Sequence, residues 1–156
     1  MVWRRKGVLM RSRARPVKTR RVARLGNAME RRLLQIAIIL AGLVPVLGGL
    51  AGAVFGESAF GPWAGAGQDS HMRYLSGLLA GIGLVFWACA PTIERRGDIV
   101  RALTLVVVAG GLARLGGLLA VGDPGRMRWA LVMELGVTPA ICLWQARVAG
   151  LAAGRP

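Results

Sequence analysis

The chain has 156 residues, 54% of them hydrophobic and only 6% aromatic, with 23 glycines. That composition, with a mean hydropathy of +0.52, excludes an average soluble domain of this length and matches the glycine usage of membrane helices. The net charge of +14 is unevenly spread: residues 1–28 hold ten Lys/Arg and no acid, while residues 29–156 hold eleven against seven acids.

The basic segment 1–28 is expected to be a disordered extension preceding a single four-helix domain at 29–156. Three readings of it stand side by side. It is an arm for anionic lipid, worth about 1 kcal/mol per Lys/Arg near a membrane surface. It is a phosphate-binding run, although only Trp3 interleaves with its charges. Or it is untranslated, because "MERRLLQIAIIL" reads as a natural start at Met29; this last reading is preferred.

Four apolar runs follow, at 33–55, 74–91, 99–121 and 129–149. Each approaches the ~20 residues that cross a bilayer core as a helix. In lipid the backbone must be bonded within the segment, which selects helix. "AGA" at 51–53 has the form of a signal-peptide cleavage site, but the run before it is longer than the apolar region of such a peptide. The links are short, so an antiparallel bundle is expected. Lys/Arg gather beside the first run, in the 92–98 link with Arg101, and at Arg147 and Arg155; the other ends carry only Arg73, Arg126 and Arg128. The positive-inside rule then puts both termini in the cytoplasm of a multi-pass inner-membrane protein.

The ionisable residues inside these runs carry the candidate site. Arg114 interrupts "GGLARLGGLL" and Glu134 interrupts the fourth run. Such residues are rare in membranes and face the bundle interior. Counted at 1.5 Å per residue from the outer ends of their runs, they lie at matching depths of roughly 10 and 7 Å. The spacing predicts an Arg114–Glu134 ion pair, which a guanidinium makes bidentately; the alternative is Arg114 snorkelling alone to the headgroups. At the start of the second run, Asp69 and Arg73 are spaced i, i+4 on one helix face, with His71 and Tyr74 beside them. Together the six residues are expected to form a polar cluster near the outer face, either structural or able to bind a small anion, a polar headgroup or a quinone ring. Tyr74, Trp129 and Trp144 are expected as interfacial anchors.

Small residues recur every four positions at Gly48, Gly52 and Gly56, at Gly77 and Gly81, and at Ala109, Ala113 and Gly117. That spacing lets helices approach closely in lipid. Pro45 and Pro139 each free a carbonyl one turn back, Ala41 and Leu135. Cys89 and Cys142 sit in apolar runs without CxxC spacing and read as small buried hydrophobes. One histidine cannot supply two axial haem ligands, and no cysteine motif suits an iron–sulfur cluster. No metal or cofactor is therefore expected, and no nucleophile–base pair suggests hydrolysis.

The stretches "DSHMRYLSGLLAGIGLVFW", "PTIERRG", "GGLARLGGL" and "MELGVTPAICLWQARVA" resemble a bacterial family of small four-helix membrane proteins, domain of unknown function 4345. The likeness covers roughly residues 29–149, with the family's polar positions on Asp69, Arg73, Arg114 and Glu134. It implies an integral membrane protein and no catalytic residues. The four-helix plan is also loosely similar to small quinone-linked subunits of the DoxX kind. The expected function is a non-enzymatic ligand- or partner-binding bundle. The alternatives are a small-solute transporter, which four helices would form only as an oligomer, and a quinone-linked redox subunit. Expected partners are the lipid bilayer, a second copy or another membrane protein, and an unknown small ligand, with nucleic acid not expected.

Overall fold

The computed structural model describes the backbone of residues 17–62, 65–122 and 127–154, with side chains from Leu25 onward except Met127. Expectations that rest on residues 1–16, Arg126 and Arg155 lie outside the described residues.

The chain is all-α among the described residues. Helix α1 spans Val17–Phe55 and ends in a 3-10 turn, Gly56–Ala59. Helix α2, Ala66–Cys89, runs into a second 3-10 turn, Ala90–Arg95. Helix α3 spans Gly97–Val121. A final rod comprises α4 (Met127–Leu131), a π-helical turn (Val132–Val137) and α5 (Thr138–Ala152). Among the described residues, four helical rods are therefore long and apolar enough to cross a membrane; 25 residues of α3 reach about 37 Å at 1.5 Å per residue, beyond a hydrocarbon core of ~30 Å.

Local chemistry sets the breaks. Pro91 lies at the start of the second 3-10 turn, where a missing N–H is tolerated, and Thr92 leaves helical geometry at φ −122°, ψ 35°. Gly56 takes φ +63° at the end of α1, a conformation costly for residues with a Cβ. Pro45 lies within α1, which continues through it. Pro139 follows the π-helical turn, whose wider loop of backbone accommodates the missing donor; the Thr138 hydroxyl donates to the Met133 carbonyl at 2.8 Å.

The tightest packing joins α1 to α2. Gly49 lies against the backbone of Ala80 and Ser76, Gly52 against Ser76 and Phe60, and Gly42 beneath the Trp87 ring. The Trp87 indole N–H donates to the Ile39 carbonyl at 3.0 Å. On the other side, Gly111 of α3 meets Glu134 and Leu135. The periodic small residues are thus only partly the contact positions: Gly48, Gly77, Gly81 and Gly117 have nothing within 4 Å of an added Cβ. Spacing marks a smooth face of one helix, whereas contact is decided by where two helices cross.

The core sits at one end. Leu34, Ile38, Cys89, Ala90, Ile93, Val100 and Val148 bring all four rods together around the second 3-10 turn. Polar bonds close the same end. Gln35 donates to the Ala90 carbonyl at 2.9 Å, Arg31 to the Pro91 carbonyl at 2.7 Å, and fully buried Gln145 to the Ile93 carbonyl at 2.8 Å. Ion pairs join Arg31 to Glu94 at 3.0 Å and Arg147 to Glu30 at 2.9 Å. Outside the buried cluster the apolar surface is open: Leu105, Leu119, Val121 and Leu143 are each at least 70% exposed.

Candidate functional site

Beyond the closed end, a cavity of about 410 Å³ separates the α1–α2 pair from α3 and the final rod. Ile38, Val44 and Pro45 line it from α1, Leu79 and Phe86 from α2, Val107 and Arg114 from α3. The final rod contributes Trp129, Met133, Glu134, Thr138 and Ile141. The wall is apolar except around Arg114, Glu134 and Thr138. Its floor meets the core, because Ile38 belongs to the buried cluster and Phe86 and Ile141 pack against it.

The polar end is built by two local features. Gly111 lets α3 approach so closely that an added Cβ would stand 2.9 Å from Glu134 Cβ and 2.8 Å from Leu135 Cδ2. One turn further along α3, Arg114 then reaches the Glu134 carboxylate. Nε donates to Oε2 and Nη2 to Oε1, both at 3.1 Å, a fork-to-fork pair. Second, Glu134 lies inside the π-helical turn, a distortion that recurs at functional sites. The Arg114 side chain is 38% exposed and that of Glu134 18%.

The other predicted residues form a separate group. Asp69 Oδ2 accepts from Arg73 Nε at 2.7 Å, and its Oδ1 accepts from the Glu57 backbone N–H at 2.9 Å. Arg73 Nη1 donates to the Val54 carbonyl at 2.6 Å and to that of Ala53 at 3.2 Å. The pair therefore caps the last carbonyls of α1, where a cation is favoured, and fastens the Gly56 turn to α2. His71 and Tyr74 are exposed beside it. None of these four lines the cavity, so the six residues expected as one cluster fall into an interhelical pair and a capping group. Trp129 is 75% exposed on the cavity rim, while Trp144 packs against the core rather than standing free.

The sequence reading missed the polar closure of the opposite end. In the sequence, Arg31 and Arg147 count only as basic charges near helix ends and nothing assigns Glu30 or Glu94 a partner; Gln35 and Gln145, polar residues inside apolar runs, are the available signal. Among the described residues, no group of three or more His, Cys, Asp or Glu side chains could hold a metal ion.

Fold and site together define a class: a chain of four apolar rods, closed at one end, with a cavity that carries one charge pair in its wall. The model of the family described as "Domain of unknown function (DUF4345)" matches residues 33–145, from the first apolar run to the buried Gln145. The chain belongs to that family. No curated protein and no solved structure matches it.

Proposed function

We propose that this is a multi-pass protein of the bacterial inner membrane, with four antiparallel helices and both termini cytoplasmic, that binds an apolar-tailed ligand between its helix pairs without catalysing a reaction on it. Lipid is the fitting solvent for the open face: large aliphatic side chains at that exposure would form a patch far beyond what monomeric soluble proteins tolerate. The order of contacts supports antiparallel pairing, since Gly42, Gly49 and Gly52 meet Trp87, Ala80 and Ser76 in reverse sequence. Orientation rests on arginine placement. Arg31, Arg32, Arg95, Arg96, Arg101 and Arg147 lie toward the closed end, against Arg73 and Arg128 at the other.

The observation that carries the binding role is the cavity. Its volume falls within the range of small-molecule sites, about 300–1,000 Å³, and apolar walls with a few convergent polar groups are the usual pattern of such sites. A purely structural ion pair needs no space beside it. The test is mass spectrometry of the molecules that co-purify from a mild detergent. Wild-type protein should carry an apolar-tailed compound that is depleted from Ala41→Phe, which places a ring in the cavity. Identical inventories from the two proteins would contradict the reading.

A further inference from the structure

We propose that the cavity selects a ligand with an uncharged polar head, a carbonyl or hydroxyl on an apolar tail, and that the Arg114–Glu134 pair is what makes the selection. The inference rests on the ligand-binding reading above and deepens it.

The argument follows from how the pair is satisfied. A guanidinium has five N–H donors. Glu134 takes two of them, one from Nε and one from Nη2. Three remain unengaged among the described residues, at the polar end of the cavity. An incoming head therefore meets hydrogen-bond donors but little net charge, because the carboxylate already balances the cation. An anionic head brought to Arg114 would stand beside Glu134, and like charges in a poorly solvated site oppose one another. A cationic head drawn to Glu134 would meet Arg114 in the same way. A neutral oxygen acceptor avoids both penalties and can take a charge-assisted hydrogen bond from the guanidinium. The opposite end has no comparable group: Ile38, Phe86 and Ile141 surround it. A head at Arg114 and a tail directed towards the core is thus the orientation that leaves fewest polar groups unpaired. Two sources share this chemistry, a quinone ring and a glycerolipid or alcohol head.

Glu134 acts here as a positioning and charge-balancing residue, and its removal has a signed consequence. Glu134→Gln keeps the side-chain size but leaves Arg114 as an unbalanced cation. The preference should then move to anions.

The test uses four probes with the same tail length on full-length protein in detergent: decyl-benzoquinone, monodecanoylglycerol, decanoate and decyltrimethylammonium. Binding is read by native mass spectrometry, with Ala41→Phe as the filled-cavity control. In wild-type protein at least one neutral probe should bind roughly tenfold tighter than either ion, and the order between the two neutral probes assigns the source. In Glu134→Gln, decanoate should become the tightest. Decanoate or decyltrimethylammonium binding best to wild-type protein would overturn the neutral-head inference while leaving the cavity reading intact. A neutral preference unchanged in Glu134→Gln would overturn it too, because the pair would then not be the selector. If that variant does not fold, the wild-type order alone decides. Probe binding that is unaffected by Ala41→Phe would defeat the ligand-binding reading itself.

Discussion

Two neighbouring glycines of α3 should respond oppositely to the same substitution. Gly110 has nothing within 4 Å of the position a Cβ would take. Gly111 has Leu135 Cδ2 at 2.8 Å, Glu134 Cβ at 2.9 Å and Leu135 Cγ at 3.1 Å. Neither has a positive φ, so alanine fits both backbones. Gly110→Ala should gain the helix preference of alanine, about 0.5–1 kcal/mol. Gly111→Ala makes the same gain but must push α3 off the final rod. The Leu135 methyl can rotate away; Glu134 Cβ, fixed to backbone, cannot. Overpacking of this kind costs about 1–3 kcal/mol, so the two variants should differ by that amount. At roughly 2–4 °C per kcal/mol for a chain of this size, thermal unfolding in detergent should place Gly111→Ala below Gly110→Ala by several degrees. Equal midpoints, or Gly111→Ala the more stable, would refute the close crossing that brings Arg114 to Glu134.

Three other outcomes follow from the same geometry. Gly56→Ala combines a left-handed backbone, worth about 1–2 kcal/mol, with a Cβ directed at the Asp69 carboxylate, and should lower the unfolding midpoint by at least about 4 °C. Arg73→Leu removes the cap on the Ala53 and Val54 carbonyls and should cost about 1–2 kcal/mol; because Arg73 does not line the cavity, ligand content should stay at the wild-type level. In intact cells, a membrane-impermeant thiol reagent should label Ser70→Cys but not Thr92→Cys, with wild-type protein as the blank; the reverse pattern would invert the proposed topology.

The helical class and the apolar part of each rod were legible because hydropathy has one cause; the start of α1 at Val17, inside the segment expected as a disordered extension, was not. A run of about twenty apolar residues is long enough to cross lipid and has few other uses. The Arg114–Glu134 contact was legible for a similar reason: matched depth on two helices joined by a short link leaves little freedom. The grouping of Asp69 and Arg73 with that pair failed because depth fixes only one coordinate. Both groups lie far from the core, yet Arg73 is drawn to the free carbonyls at the end of α1, on the other side of the cavity. The closed end leaves little trace in the sequence because its bonds run from Gln35, Gln145 and Arg31 to backbone carbonyls of the 90–93 turn. Backbone acceptors leave no mark in a residue code. Pro139 announced a disturbance in the last helix, but only the structure shows that it is a π-helical turn holding Glu134.

A double-mutant cycle on Arg114→Leu and Glu134→Leu addresses the central claim most directly, with unfolding free energy in detergent or bicelles as the readout. Breaking one side of a fully buried pair costs about 3–5 kcal/mol, and replacing both sides by apolar residues is often neutral. Because Arg114 is more than a third exposed, the expected cost of each single change is smaller, about 1–3 kcal/mol. The double variant should recover most of that loss. Single effects that simply add would show that the two side chains do not neutralise each other, and would contradict a charge-balanced pair in the cavity wall.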